Sequence, residues 1–119
     1  MLRSYDLLGS VLIDIEKGIR DGVNVTSLAE KYVLSERHLQ RLFKSAFMQS
    51  LADYIRSRRL AASLDELLKT NFKLFDIALN HGFCYEQSFI RAFKSEFGMT
   101  PGDFRKSGHI VKETHGVKH

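Results

Sequence analysis

Apolar residues recur at helical spacing along most of the chain, and the strict alternation that is typical of strands is missing. The first run predicts a helix that begins at Ser4, a candidate N-cap, and ends in a loop marked by Gly18 and Gly22. Its apolar positions are Leu7, Leu8, Val11, Leu12 and Ile15.

Two short helices separated by a few residues are predicted next. The first is capped either by Asn24 or by Ser27, with Glu30 completing a capping box in the second case. Ser35 is the expected N-cap of the following helix, which is amphipathic. Two short helices joined this closely predict a helix-turn-helix. The apolar side chains of the second helix are expected to be buried: Leu39, Leu42, Phe43 and Phe47.

A long helix is predicted from Leu51 to about Leu68, with a length of roughly 27 Å. The apolar residues over 72–79 then predict a short helix, and Gly82 marks its end. A further amphipathic helix runs from Tyr85 or Glu86 onward, and its inward-facing side chains are Phe89, Phe93 and Phe97.

The last predicted helix follows Gly98, which suits a helix C-cap at positive φ. Thr100 and Pro101 suit its start, because proline is favoured at the first helical position. After Lys106 the chain becomes polar, and we expect it to be loosely ordered.

The pattern therefore predicts an all-α fold of about seven helices, forming two helix-turn-helix subdomains joined by a long spacer helix. The expected boundaries are 4–50 for the first subdomain, 51–69 for the spacer helix, 70–107 for the second subdomain and 108–119 for a flexible C-terminal tail.

Composition narrows the function classes only slightly. The 119 residues carry a net charge of +4, which permits nucleic-acid binding without establishing it. No segment is apolar enough to span a membrane, and the first residues lack the apolar run of a secretory signal. The single cysteine, Cys84, suits a reducing compartment. A cytoplasmic, nucleoid-associated location is expected.

The chain contains an internal duplication at a spacing of about fifty residues. Leu28-Ala29 corresponds to Ile77-Ala78, and Val33 to Gly82. After a shift of one residue in the turn, several identical or similar residues pair: Arg41 with Arg91, Phe43-Lys44-Ser45 with Phe93-Lys94-Ser95, Phe47 with Phe97, Ser50 with Thr100, and Tyr54 with Phe104.

On these residues the chain resembles the DNA-binding domain of the AraC/XylS family of bacterial transcription regulators, from about Leu7 to Lys106. The resemblance implies sequence-specific binding of double-stranded DNA, with two reading helices in successive major-groove segments. The second unit carries the more specific match: Asp76-Ile77-Ala78, Gly82-Phe83, Ser88-Phe89, Arg91, Phe93-Lys94, Phe97-Gly98, Thr100-Pro101 and Phe104-Arg105.

One departure lies in the first turn, where the family often has glycine and this chain has Val33. A β-branched residue does not readily adopt positive φ, so the turn is either differently shaped or mildly strained.

Base contacts are expected from the exposed polar face of each reading helix. Arginine pairs with guanine and glutamine with adenine through two hydrogen bonds, and an apolar side chain can touch a thymine methyl group. The resemblance places these contacts at Arg37, Gln40, Arg41, Gln87, Ser88, Ile90 and Arg91. The alternative for Arg91 is an ion pair with Glu86 or Glu96.

Phosphate contacts are expected from basic residues late in the reading helices and outside them. They are Lys44, Arg56, Arg59, Lys94 and Arg105. The spacer length suits two reading helices about 34 Å apart on one DNA face. A single chain, expected to act as a monomer, would then bind a bipartite, non-palindromic site.

Other chemistries lack support in the sequence. No catalytic constellation or phosphate-binding glycine loop is present, so no enzyme activity, cofactor or metal is expected. His38, His81 and Cys84 lack zinc-finger spacing, and Cys84 is interpreted as a packing residue. RNA polymerase is an expected partner, and a protein-interaction module that contacts it or another regulator is the alternative function. The chain is either a stand-alone regulator or a fragment of a longer one.

Overall fold

The computed structural model describes residues 3–108, which form seven helices and no strand. The all-α expectation is confirmed. The helices are α1 Ser4–Gly18, α2 Val25–Lys31, α3 Glu36–Phe47, α4 Leu51–Lys69, α5 Leu74–Asn80, α6 Glu86–Phe97 and α7 over 101–108. None of the helices in this range is long and apolar enough to cross a membrane. The chain divides into two compact units, Met1–Arg59 and Leu60–His119, so that each unit contains part of α4.

Local side chains cap the N-termini of several helices. Asn24 caps α2 and forms a reciprocal pair of hydrogen bonds with Ser27, which settles the alternative left open by the sequence. Ser50 and Thr100 accept bonds from first-turn amides of α4 and α7, both at 3.1 Å. The prediction of Ser4 as the N-cap of α1 was wrong by one residue. Ser4 is the first residue of the helix, and Arg3 is the N-cap residue and makes no side-chain capping bond.

The first unit encloses an apolar core built from four helices. Phe43 is fully buried, and its ring contacts those of Phe47 and Tyr54 at centroid distances of 4.7 and 5.4 Å. The packing of Phe47 and Tyr54 on the buried ring of Phe43 fixes α3 against the first turns of α4. The buried residues of this core are Leu8, Val11, Ile15, Leu28, Ala29, Leu39, Phe43, Leu51 and Ile55.

The second unit repeats this packing with its own residues. Phe93 takes the place of Phe43 and contacts Phe97 at 4.7 Å and Phe104 at 5.8 Å. The buried residues are Leu60, Leu67, Ile77, Ala78, Phe89 and Phe93. The duplication inferred from sequence is therefore also a duplication of the core.

Some apolar residues are more exposed than the pattern predicted. Phe47 is 41% exposed, because it is the last residue of α3 and only one side of its ring packs on Phe43. Phe72 lies outside α5, which begins at Leu74, and is 51% exposed. The predicted flexible tail falls almost entirely on residues 109–119, which lie outside the described range.

Candidate nucleic-acid interface

Each unit contains a helix-turn-helix whose turn requires positive φ at one residue. In the second unit Gly82 has φ 87°, and the next amide, that of Phe83, donates to the carbonyl of Ala78 at 2.9 Å. In the first unit Val33 has φ 56° and is followed by the equivalent bond from Leu34 to Ala29, also at 2.9 Å. The first turn therefore has the same shape as the second and carries the strain of a β-branched residue.

The C-terminal ends of α3 and α6 show the same difference. Gly98 ends α6 with φ 81°, whereas Met48 ends α3 with φ 57°. Each amide donates to the carbonyl four residues earlier, Lys44 or Lys94, at 2.8 Å. Non-glycine residues thus adopt left-handed backbone both in the turn before α3, at Val33, and at the C-terminal end of α3, at Met48.

Helix α3 is positioned at its N-terminus by two polar contacts. The hydroxyl of Ser35 accepts a hydrogen bond from the amide of His38 at 3.0 Å. The hydroxyl of Thr26 in α2 donates to the carboxylate of Glu36 at 3.1 Å, which joins the starts of α2 and α3. With Leu39 and Phe43 buried, the predicted contact residues occupy the exposed face: Arg37, Gln40, Arg41 and Lys44.

Helix α6, like α3, has one buried face and one exposed face. Phe89 and Phe93 are buried, whereas Gln87, Arg91 and Lys94 are exposed. The other two predicted contact residues, Ser88 and Ile90, are partly buried. Tyr85 is the N-cap residue and forms no side-chain cap. The structure therefore gives each unit one helix with a cationic and amide-bearing outer face.

A carboxylate clamps the end of α2 in the first unit. Asp14 of α1 accepts a hydrogen bond from the hydroxyl of Tyr32, the residue just before Val33, and its Oδ2 lies 2.9 Å from Nζ of Lys31. The hydrogen bond from Tyr32 and the nearby Lys31 hold the pKa of Asp14 below its ordinary value. Burial and the bond to Asp14 raise the pKa of Tyr32.

The second unit has a corresponding clamp made of different residues. Glu66 of α4 accepts a hydrogen bond from Nδ2 of Asn80 at 2.8 Å, and its other oxygen lies 3.1 Å from Nε2 of His81. His81 is fully buried, and its Nδ1 has no hydrogen-bond partner in the described part of the chain. In both units the last residue of the first motif helix and its C-cap residue share one carboxylate.

Sequence reasoning missed both clamps, and it considered His81 only as a possible metal ligand. The available signal was weak: Glu66 lies among apolar residues of an amphipathic helix, and His81 directly precedes the turn glycine. No group of three or more potential metal ligands occurs among residues 3–108. Cys84 is exposed, so its interpretation as a packing residue was wrong.

The predicted phosphate-binding arginines outside the reading helices have two kinds of environment. Arg56 is exposed and lies 3.1 Å from Asp53. Arg59 is partly buried and donates to the carbonyl of Val23 at 2.6 Å; burial lowers its pKa. Arg105 is also partly buried, and its Nε donates to the carbonyl of Leu67 at 3.0 Å. Because Arg59 and Arg105 bind backbone carbonyls within their own units, their placement favours a structural role over a phosphate contact.

Comparison with known proteins gives consistent matches over nearly the same range. Residues 28–107 match the family model described as a helix-turn-helix domain. The regulatory protein SoxS of Escherichia coli K12 is 40% identical over 91 residues, covering 76% of this chain and 85% of SoxS.

Two solved structures resemble the fold closely. The C-terminal domain of the two-component response regulator yesN from Fusobacterium nucleatum is 31% identical, with a TM-score of 0.76 over 82% of this chain and 95% of that domain. A transcriptional regulator from Chromobacterium violaceum, described as containing an AraC-type DNA-binding domain, is 25% identical, with a TM-score of 0.80 over 88% of this chain and 94% of that one.

Proposed function

Because this chain belongs to the AraC family of helix-turn-helix, DNA-binding transcription regulators, we propose that α3 and α6 are its two reading helices. Each helix enters one major-groove segment of the same duplex with its N-terminal half facing base edges. The DNA site is then bipartite and oriented, since the two helices present different side chains.

The base contacts in this proposal come from seven residues on the outer faces of α3 and α6. The arginines pair with guanine O6 and N7, and the glutamines pair with adenine N6 and N7. Ile90 touches a thymine methyl group, and Ser88 bonds to a nearby base edge. The residues are Arg37, Gln40 and Arg41 in the first unit and Gln87, Ser88, Ile90 and Arg91 in the second.

Phosphate contacts come from exposed cations near these helices. Lys44 and Lys94 occupy equivalent places in α3 and α6, three residues beyond Arg41 and Arg91, and both are exposed. Arg56 joins them if its weak, exposed ion pair with Asp53 opens on binding. These contacts orient the protein without selecting sequence, and they make affinity fall as salt rises.

The observation that carries the proposal is the equivalence of Arg41 and Arg91. Each arginine is exposed and lies two residues before a fully buried phenylalanine, Phe43 or Phe93, that fixes its helix in the core. Two units with different surrounding sequences therefore hold the same bidentate donor in the same register. Solubility would require charged residues on the helix surface, but it would not require an arginine at the same position of both helices.

The proposal extends to how the protein acts in the cell. One chain supplies both reading helices, so a monomer is the DNA-binding form. Regulation of transcription from the bound site involves RNA polymerase as the protein partner. The site of action is the nucleoid in the cytoplasm, where this DNA is found.

The proposal is tested by selecting bound duplexes from a random pool and then footprinting the protein on the selected duplexes. We expect enrichment of a two-block, non-palindromic sequence in which both blocks are protected. Enrichment of a single short block would mean that only one helix reads sequence. Failure to enrich any sequence, with binding that depends only on salt, would contradict the proposal.

A further inference from the structure

The residue that precedes the reading helix differs between the two units. Ser35 caps α3, with its hydroxyl 3.0 Å from the amide of His38. Tyr85 holds the equivalent position before α6, makes no cap and is 72% exposed. Serine, threonine, aspartate and asparagine are favoured at this position because their oxygen satisfies a first-turn amide. The second unit lacks that stabilisation and exposes a large ring instead.

The repeat places a second aromatic residue, Phe75, at a position whose first-unit equivalent contacts the start of the reading helix. In the first unit Thr26 bonds to Glu36, so the second residue of α2 contacts the first residue of α3. The equivalent residues of the second unit are Phe75 and Glu86, and the ring of Phe75 is 47% exposed. Aromatic residues, Phe75 and Tyr85, therefore occupy the two positions at which the first unit has the hydroxyl residues Thr26 and Ser35.

Packing does not account for either ring. Tyr85 has no ring contact with another aromatic residue in the described range, and Phe75 is not among the residues that line the core of the second unit. Tyr85 directly precedes the N-terminal half of α6, the part of a reading helix that faces base edges.

We propose that Tyr85 is a specificity-determining residue of the second unit, and that its ring packs on the C5-methyl group of a thymine at the edge of the segment read by α6. Apolar side chains distinguish thymine by this methyl group. Phe75 borders the contact and excludes water from it. The inference rests on the proposed function, because it requires α6 to lie in the major groove.

Replacing single thymines by deoxyuridine in a duplex selected from the random pool removes one methyl group at a time. At the thymine touched by Tyr85 the wild-type protein should lose about four-fold in affinity, as expected for one buried methyl group. Tyr85→Ser introduces the capping residue of the first unit and should fold normally by circular dichroism. This variant should bind the thymine and deoxyuridine duplexes equally at that position.

Two further variants make the test specific. Tyr85→Phe keeps the ring and should keep the wild-type discrimination. Ile90→Ala is the matched control, because it removes another apolar side chain from the same helix. It should abolish discrimination at a different thymine and leave the Tyr85 position unchanged.

The outcomes separate this inference from the proposed function. If a two-block duplex is selected but Tyr85→Ser shows the same thymine discrimination as the wild type at every position, the inference is overturned and the proposed function stands. If no duplex is selected, both are overturned.

Discussion

Nε2 of His81 lies 3.1 Å from Oε2 of Glu66, and both side chains are buried in the second unit. The same carboxylate holds Asn80, so it fixes the last turn of α5 immediately before the turn at Gly82. Asp14 performs this task for α2 through Tyr32 and Lys31. The presentation of each reading helix thus depends on a carboxylate in the helix that precedes its motif.

Removing the buried carboxylate should destabilise the second unit strongly. Glu66→Ala leaves His81 and Asn80 without their partner, and we expect a loss of about 3 kcal/mol in the free energy of unfolding. Chemical denaturation measures the loss. Lys69→Ala breaks an exposed ion pair with Asp65 in the same helix and should cost less than about 0.5 kcal/mol. Equal effects of the two variants would argue against a structural clamp at Glu66.

Relieving the left-handed strain in the first unit should stabilise it. Val33→Gly removes the Cβ that disfavours positive φ, and we expect a gain of about 1 kcal/mol in the free energy of unfolding. Gly82→Val should produce a loss of at least that size in the second unit. Val33→Ala removes the β-branch but keeps a Cβ and is the comparison variant, with a smaller gain expected than for Val33→Gly. Denaturation midpoints that fall for Val33→Gly would show that Val33 makes a favourable contact outweighing its strain.

The Asp14 clamp predicts a loss of stability at low pH. The pKa of this carboxyl is lower in the folded chain than its ordinary value of 3.8, so the unfolded chain takes up the proton first as pH falls. The contribution of the Asp14 clamp to stability is therefore complete above the ordinary pKa of the carboxyl, and it disappears as pH falls through the lower pKa of the folded chain. Unfolding measured from about pH 6 to about pH 3 should show a steeper loss in the wild type than in Asp14→Asn.

Tyr32→Phe removes the main cause of the lowered pKa without changing the carboxyl. Its stability should also fall less steeply with acidification than that of the wild type. A profile of Tyr32→Phe that coincides with the wild-type profile would show that the hydroxyl does not hold the Asp14 carboxylate.

The two kinds of cation in the first unit should respond differently to removal. Lys44→Ala should weaken binding to all duplexes and reduce the slope of log affinity against log salt by about 1. Arg59→Ala should lower the stability of the first unit, because Arg59 bonds to the carbonyl of Val23, and should leave that slope unchanged. A reduced slope for Arg59→Ala would restore the phosphate contact expected from the sequence.

Features determined by local chemistry were predictable from the sequence. Ser35 and Gly98 mark helix ends through their own side chain or backbone, and the buried faces of α3 and α6 follow from the spacing of their phenylalanines. Arg59 and the Glu66–His81 pair were not predictable. Their roles depend on which groups tertiary packing brings within hydrogen-bond distance, and residue spacing along one helix carries no such information.

The most direct test of the central claim is a footprint of the selected duplex with Arg41→Glu and with Arg91→Glu. The control is Lys17→Glu, which makes the same change of charge at an exposed position of α1. If α3 and α6 read separate segments, Arg41→Glu should lose protection of one block and Arg91→Glu of the other, with both variants still folded. Lys17→Glu should protect both blocks. Protection of both blocks at wild-type affinity by either arginine variant would contradict the account.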